Sequence, residues 1–218
     1  MREFDPFPVY PPAKRVANRT IQNRLAAMYR DREFYDGDRQ NGFGGMVNDG
    51  RWAAVADQLI KVYGLTEDSS VLQVSCHKGF LLDEFLKRGI NVRGTEVSDY
   101  AISCASEAVR PCIKKAPFHR LPFGDHEFDL VLGIATVYAV ALPECVGALR
   151  EMERVGKGKS FITLSAYETP EGLALTRKWS ILGTLIFSKE EWLTVLNYAG
   201  YTGDYKFDTA EYLGLVSE

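Results

Sequence analysis

The apolar positions of the chain change period near residue 70. Upstream, Ile21, Leu25 and Met28 recur at spacings of four and three, which predicts helical character over residues 16–32. Val55, Leu59, Ile60 and Tyr63 repeat that pattern over residues 52–63, and Gly64 supplies the stop. Between them, "FYDGDRQNGFGGMVNDGRW" (residues 34–52) carries five glycines and reads as a long loop that no element runs through. Near the N-terminus, "FDPFPVYPPAK" has four prolines in eleven residues and reads as an extended arm.

Beyond residue 70, short apolar runs alternate with amphipathic stretches. Residues 71–75, 91–96, 112–115, 128–134 and 160–165 read as strands, and 80–88, 100–109 and 144–155 as the helices between them. Residues 173–182 have helical character. Residues 189–199 form a helix behind Ser188 with Glu191 three positions on, and "YTGDYKF" closes as a strand. Such alternation implies right-handed crossovers and a doubly wound sheet. The expectation is a Rossmann-like α/β fold: a mostly parallel seven-stranded sheet with helices on both faces and an N-terminal helical and loop lid. Residues 1–52 form the arm, helix and lid, and residues 53–218 the sheet domain.

Charge and cysteine content narrow the partners more than the fold. Lys and Arg number 26 against 29 Asp and Glu, a net charge of −3, which argues against nucleic acid or an anionic membrane as the main partner. Residues 1–32 are locally basic, seven against three, and read as arginines on a solvated helix. Cys76, Cys104, Cys112 and Cys145 show no C-x-x-C spacing and no histidines placed to complete a zinc site, so no metal is expected. The N-terminus is not basic then apolar, and no apolar run approaches the ~20 residues that span a bilayer. A reducing cytoplasm with free thiols is the expected setting.

The chemistry concentrates in "VLQVSCHKGFLLDEFLKRG" (residues 71–89), a strand-to-helix turn with Gly79 where the helix begins. Open parallel sheets hold ligands outside the carboxyl ends of their strands, and backbone N–H groups at a helix start can meet an anionic group. Glu96 ends the next strand, placed to accept hydrogen bonds from ribose hydroxyls.

These segments, with "VRGTEVSDYAI", "LPFGDHEFDLVLG" and "ALREMERVGKGKSFITLSAY", make almost everything from Phe34 onward resemble a class I S-adenosylmethionine-dependent methyltransferase. "NGFGGMVNDGRW" and "AGYTGDYKF" resemble, more narrowly, the lid loop and tail of a bacterial small-molecule subgroup. A dinucleotide-binding reading fits less well, because G-x-G-x-x-G is absent. The resemblance implies S-adenosylmethionine as cofactor, with Gln73, Ser75, Cys76 and Gly79 lining its methionine end. It places Glu96 on the ribose, Val97 and Ser98 near the adenine, and Phe43, Gly44, Gly45, Arg51 and Trp52 in the lid. Arg51 is expected either on the methionine carboxylate or in a surface ion pair at a helix start.

Departures from the family pattern fall in this same site. Gln73 replaces an acid, and Ser75 and His77 replace glycines. Pro117 stands where an adenine-proximal acid or amide is usual, and Tyr138 where relatives often carry a histidine. If Ser75 or His77 needs a positive φ, each costs roughly 1–2 kcal/mol.

Methyl transfer is an in-line displacement that depends mainly on positioning, and a hydroxyl acceptor also needs a general base. Tyr138 and His77 are the leading catalytic candidates, with Asp36 and His119 behind them. Two readings stay open. One is an active methyltransferase on a small-molecule acceptor such as a sugar, nucleotide-sugar or other biosynthetic intermediate. The other is a catalytically degenerate, methyltransferase-like partner subunit, and a homodimer or a heteromer with an active methyltransferase is the assembly considered.

Overall fold

The computed structural model describes residues 1–8 and 14–217; the middle of the proline-rich arm lies outside the described residues. Strand β1 (Arg15–Val16) leads through helices α1 (Ile21–Ala27) and α2 (Arg32–Asp36) to a glycine-rich stretch and helix α3 (Arg51–Tyr63). Then follow β2 (Ser70–Val74), α4 (Phe80–Lys87), β3 (Asn91–Glu96), α5 (Asp99–Ser103), β4 (Ile113–Lys115), β5 (Leu130–Gly133) and α6 (Leu142–Val155). The chain closes with β6 (Ser160–Tyr167), α7 (Pro170–Trp179), β7 (Phe187–Ser188), α8 (Lys189–Ala199), β8 (Asp204–Asp208) and β9 (Leu215–Val216).

The seven-stranded sheet runs β4-β3-β2-β5-β6-β7, with β8 also on β6, and every pairing among these strands is parallel. The order reverses at β2, so its carboxyl end is the topological switch point where ligands bind in such sheets. Alternation along the strands builds two cores. Leu72, Val74, Val131, Ile162 and Leu164 face α6 and α8, while Val71, Leu130, Leu132 and Phe161 face α3 and α4. The Rossmann-like fold expected from the sequence is the fold observed.

The elements depart from expectation where local polar groups intervene. The predicted helix over 16–32 is divided: β1 pairs with β9, and Thr20 caps a helix confined to α1. The stripe of Ile21, Leu25 and Met28 is solvent-exposed, not buried. The presumed structureless stretch over 34–52 holds the end of α2 and a 3-10 turn at Arg39–Asn41, because Asp31 and Asp38 cap these short segments. The helix expected over 100–109 stops after Ser103. There the Ser103 hydroxyl donates to the Tyr100 carbonyl and the Ser106 hydroxyl accepts from the Val109 N–H, satisfying the backbone outside a helix. α7 begins at Pro170 behind the Thr169 cap, earlier than the apolar residues suggested. α8 matches its expectation at both ends, since Ser188 and Glu191 form a reciprocal cap and Gly200 takes φ 74°. Among the described residues, no helix is long and apolar enough to cross a membrane.

Candidate functional site

The turn from β2 to α4 holds Ser75, His77 and Gly79 at φ of 52°, 54° and 73°. Glycine adopts this left-handed region freely, whereas Ser75 and His77 each cost roughly 1–2 kcal/mol there. Gly79 is required twice over, since a Cβ would also lie 2.7 Å from Val109 Cγ1. The backbone of a glycine loop is therefore retained without two of its glycines. Arg30 and Ala135 are likewise held at φ 48° and 53°. These four strained non-glycine residues line one cavity of about 310 Å³; His126, the fifth such residue among the described ones, does not. Strain of this kind persists where the surroundings over-determine it, and it clusters at ligand sites.

Glu96 is almost fully buried at the end of β3. Its Oε2 accepts the His77 N–H at 2.9 Å, and its Oε1 accepts the Val97 and Ser98 N–H groups at 2.8 and 3.0 Å. The His77 imidazole stands alongside, with Nδ1 3.9 Å from Oε2 and 3.2 Å from the Tyr35 hydroxyl. Burial lowers the His77 pKa, more than the neighbouring Glu96 raises it, so the ring is neutral and the contact is not an ion pair. Phe43 meets the imidazole edge-on at 5.5 Å and stacks on Tyr35 at 5.8 Å. Tyr35, Phe43 and His77 thus form one aromatic group, and its imidazole lies beside the carboxylate expected to meet ribose.

A polar clamp ties the glycine-rich stretch to the turn. Lys78 Nζ donates to both Asp36 oxygens at 2.7 Å and to the Met46 carbonyl at 3.0 Å. The Tyr100 hydroxyl donates to Asp36 at 2.6 Å, and the Met46 N–H to the same carboxylate at 3.1 Å. Burial alone would raise the Asp36 pKa. The hydrogen bonds from Lys78 and Tyr100 and the Lys78 charge outweigh it and hold Asp36 ionised, which suits it to clamping and not to abstracting a proton.

A second cavity of about 90 Å³ lies beside the turn, lined by Gln73, Cys76, His77, Phe43, Met46 and Trp52 among others. Gln73 is 3% exposed, and among the described residues its Oε1 accepts no hydrogen bond. An unpaired buried acceptor costs about 1–3 kcal/mol, so this atom is suited to a ligand N–H. Cys76 is inert here, because burial pushes its thiol well above the usual range.

The structure brings Gln73, Ser75, Cys76, His77, Phe43 and Tyr138 onto the two cavities, while Gly79 shapes the turn and Glu96 lies behind His77. Val97 is partly exposed and meets Glu96 only through its N–H. Gly45, at φ 97°, donates its N–H to the Tyr35 carbonyl and lines neither cavity. Arg51 pairs with Asp49 through Nε at 2.8 Å at the exposed start of α3 and also lines neither. Burial raises the Tyr138 pKa and the Asp208 charge adds to the rise, so Tyr138 stays a phenol and is no general base at neutral pH. Lys78, Tyr35, Tyr100, Arg19 and Arg30 carried no mark in the sequence reading. Only the lysine's place in "CHKG" could have pointed to its role.

Comparisons with known proteins place this geometry. A family model described as a methyltransferase domain matches residues 72–164, the span from β2 to β6 that contains the turn and Glu96. A curated relative, an uncharacterized protein of Haemophilus influenzae, is 26% identical over 135 residues; the match covers 58% of this chain and 49% of the relative, so the chain spans about half its length. Among solved structures, the YcgJ protein of Bacillus subtilis superposes with a TM-score of 0.56 at 19% identity, over 66% of each chain. A SAM-dependent methyltransferase from Archaeoglobus fulgidus superposes at 0.53 and 17%, over 72% of this chain and 70% of that one. A methyltransferase from Haloferax volcanii, solved with its Trm112 activator, superposes at 0.53 and 19%, over 68% and 72%. These likenesses establish a class I methyltransferase fold.

Proposed function

We propose that the protein is an S-adenosylmethionine-dependent methyltransferase of a small-molecule acceptor, within the bacterial small-molecule subgroup that its lid loop and tail resemble. The observation that carries this reading is the strained turn. Ser75 and His77 keep the left-handed backbone of a glycine loop at a cost of roughly 1–2 kcal/mol each, around a cavity at the switch point of the sheet.

The residues present fit the cofactor at both ends, with one obstruction. At the methionine end, the unpartnered Gln73 Oε1 suits the ammonium group, and the turn carries Ser75 beside it. At the nucleoside end, Glu96 suits the ribose hydroxyls, but the His77 ring stands beside it, packed in turn on Phe43. The cofactor supplies an electrophilic methyl on a sulfonium with a neutral leaving group. The chain's own contribution is then to orient and to exclude water. Ala135 and Thr136, just beyond β5, line the larger cavity with Tyr138, which offers a hydrogen bond as a phenol. The neutral His77 imidazole lines both cavities and is able to take a proton from an acceptor hydroxyl. The Lys78–Asp36 clamp keeps the lid over the site.

Calorimetric titration and melting curves with S-adenosylmethionine and S-adenosylhomocysteine test the reading. Saturable heat with a rise in Tm is expected, whereas neither signal at millimolar ligand refutes it. The second reading is a degenerate partner subunit. It draws on the three N–H groups already satisfying Glu96 and on the exposed α1 stripe of Ile21, Leu25 and Met28. The Haloferax relative solved with its activator is a precedent for heteromer formation in this fold. A stable complex with another methyltransferase, without cofactor binding by this chain, would establish that reading.

A further inference from the structure

The 310 Å³ cavity is also lined by Arg19, in the segment entering α1, and by Thr176 and Trp179 of α7, and among the described residues two buried donors there have no partners. Arg19 is 9% exposed. Its Nη atoms donate to the carbonyls of Trp179 at 2.8 Å, Gly42 at 2.9 Å and Arg39 at 3.2 Å, but its Nε has no acceptor. Thr176 is 1% exposed, lines the same cavity, and its hydroxyl is also unpartnered. Three carbonyls satisfy hydrogen-bonding geometry without neutralising a guanidinium. Among the described residues no carboxylate lies within ion-pair distance of Arg19, nor of Arg30, which lines the cavity too. Burial, followed by repulsion from Arg39 and Arg24, lowers the Arg19 pKa to about 10. The guanidinium also stacks on Trp179, 4.3 Å from the ring centroid, which fixes its plane.

Asp208 lines the cavity too, but Lys206 neutralises its carboxylate; a buried cation, two unused donors and a second arginine without an ion pair then describe an oxyanion seat. We propose that the acceptor carries an anionic group, a carboxylate or phosphate, which Arg19 Nε and the Thr176 hydroxyl hold while Arg30 supplies further charge. The proposal rests on the methyltransferase reading and extends it by naming the acceptor class: an anionic small molecule anchored away from Gln73, with its reactive atom toward His77. Arg19 and Thr176 act here as binding residues.

Inorganic phosphate is the probe. Melting temperature and Trp fluorescence are followed during phosphate titration of the full chain at constant ionic strength, with chloride as control and with and without S-adenosylhomocysteine. A saturable phosphate response that persists alongside S-adenosylhomocysteine is expected. Thr176→Val removes an unpaired hydroxyl at constant shape, so Tm without phosphate holds or rises while phosphate binding weakens about tenfold, the loss expected for one hydrogen bond to a charged group. Arg30→Gln weakens phosphate by a similar factor. No saturable response, or an unchanged response in both folded variants, overturns the proposal. Displacement of phosphate by S-adenosylhomocysteine overturns it as well, by assigning the seat to the cofactor's own carboxylate. A phosphate response without S-adenosylhomocysteine binding would leave the anion seat standing and refute the cofactor reading separately.

Discussion

Replacing His77 by glycine tests whether the imidazole obstructs the ribose carboxylate. The substitution keeps the backbone N–H that donates to Glu96 and removes only the ring. Four contributions set its effect on stability. Relief of the left-handed conformation at φ 54° gains roughly 1–2 kcal/mol. Glycine's greater freedom in the unfolded chain costs about 0.5–1 kcal/mol. Loss of the edge contacts with Tyr35 and Phe43 costs about 0.5–1.5 kcal/mol each. The buried Tyr35 hydroxyl also loses its partner at 3.2 Å, which costs about 1 kcal/mol. The balance is a loss of about 2 kcal/mol, equivalent to a fall in Tm of roughly 4–8 °C for a chain of this size. Binding should move the other way. With the ring gone, Glu96 can accept from ribose hydroxyls, and one net hydrogen bond to a charged group contributes about 1.5–3 kcal/mol. Calorimetry should therefore show S-adenosylhomocysteine binding about 10- to 100-fold tighter than in the wild type. A folded His77→Gly protein that binds no tighter would refute the obstruction.

Four other expectations follow from the same geometry. Ser75→Gly relieves strain with little contact to lose and should raise Tm by a few degrees, read by differential scanning calorimetry. Gly79→Ala adds a left-handed alanine and a contact of 2.7 Å with Val109, so it should destabilise by about 2–3 kcal/mol in urea unfolding. Lys78→Met leaves Asp36 with Tyr100 and the Met46 N–H but without a counter-charge; a loss of about 1–3 kcal/mol and faster proteolysis in residues 37–50 are expected. Burial depresses the folded-state pKa of His77, so its contribution to stability is complete above about pH 6.5, the unfolded value, and falls as pH drops below it. Tm measured from pH 8 to pH 5 should decline less steeply in His77→Gly than in the wild type.

The sheet was legible because strands buried on both faces read as short apolar runs between amphipathic helices. Val71 and Leu72 face different cores, so both positions are apolar and the run itself marks the strand. The α8 cap was legible for a similar reason, since Ser188 and Glu191 interact over three residues. What failed were elements decided by short polar side chains. Ser103 and Ser106 end α5 early, and Asp31 and Asp38 build structure into a stretch that glycine content alone marked as loop. The site was legible along the chain but not across it. The Gln73–Gly79 turn and Glu96 lie within one strand-helix-strand unit, so spacing finds them. Lys78 meets Asp36 across 42 positions, and Arg19 meets Trp179 across 160, and neither contact leaves a periodic trace. The burial of Glu96 beneath His77 needed the turn's dihedral angles, which residue types suggest only as a question of cost.

A crystal structure of the full chain grown with S-adenosylhomocysteine decides whether the turn after β2 holds the cofactor. The methyltransferase reading predicts the amino group on Gln73 Oε1 and the ribose on Glu96, with the His77 ring turned away from the carboxylate. Crystals grown at saturating ligand that show His77 still packed on Tyr35 and Phe43, and no ligand beside the turn, would contradict it.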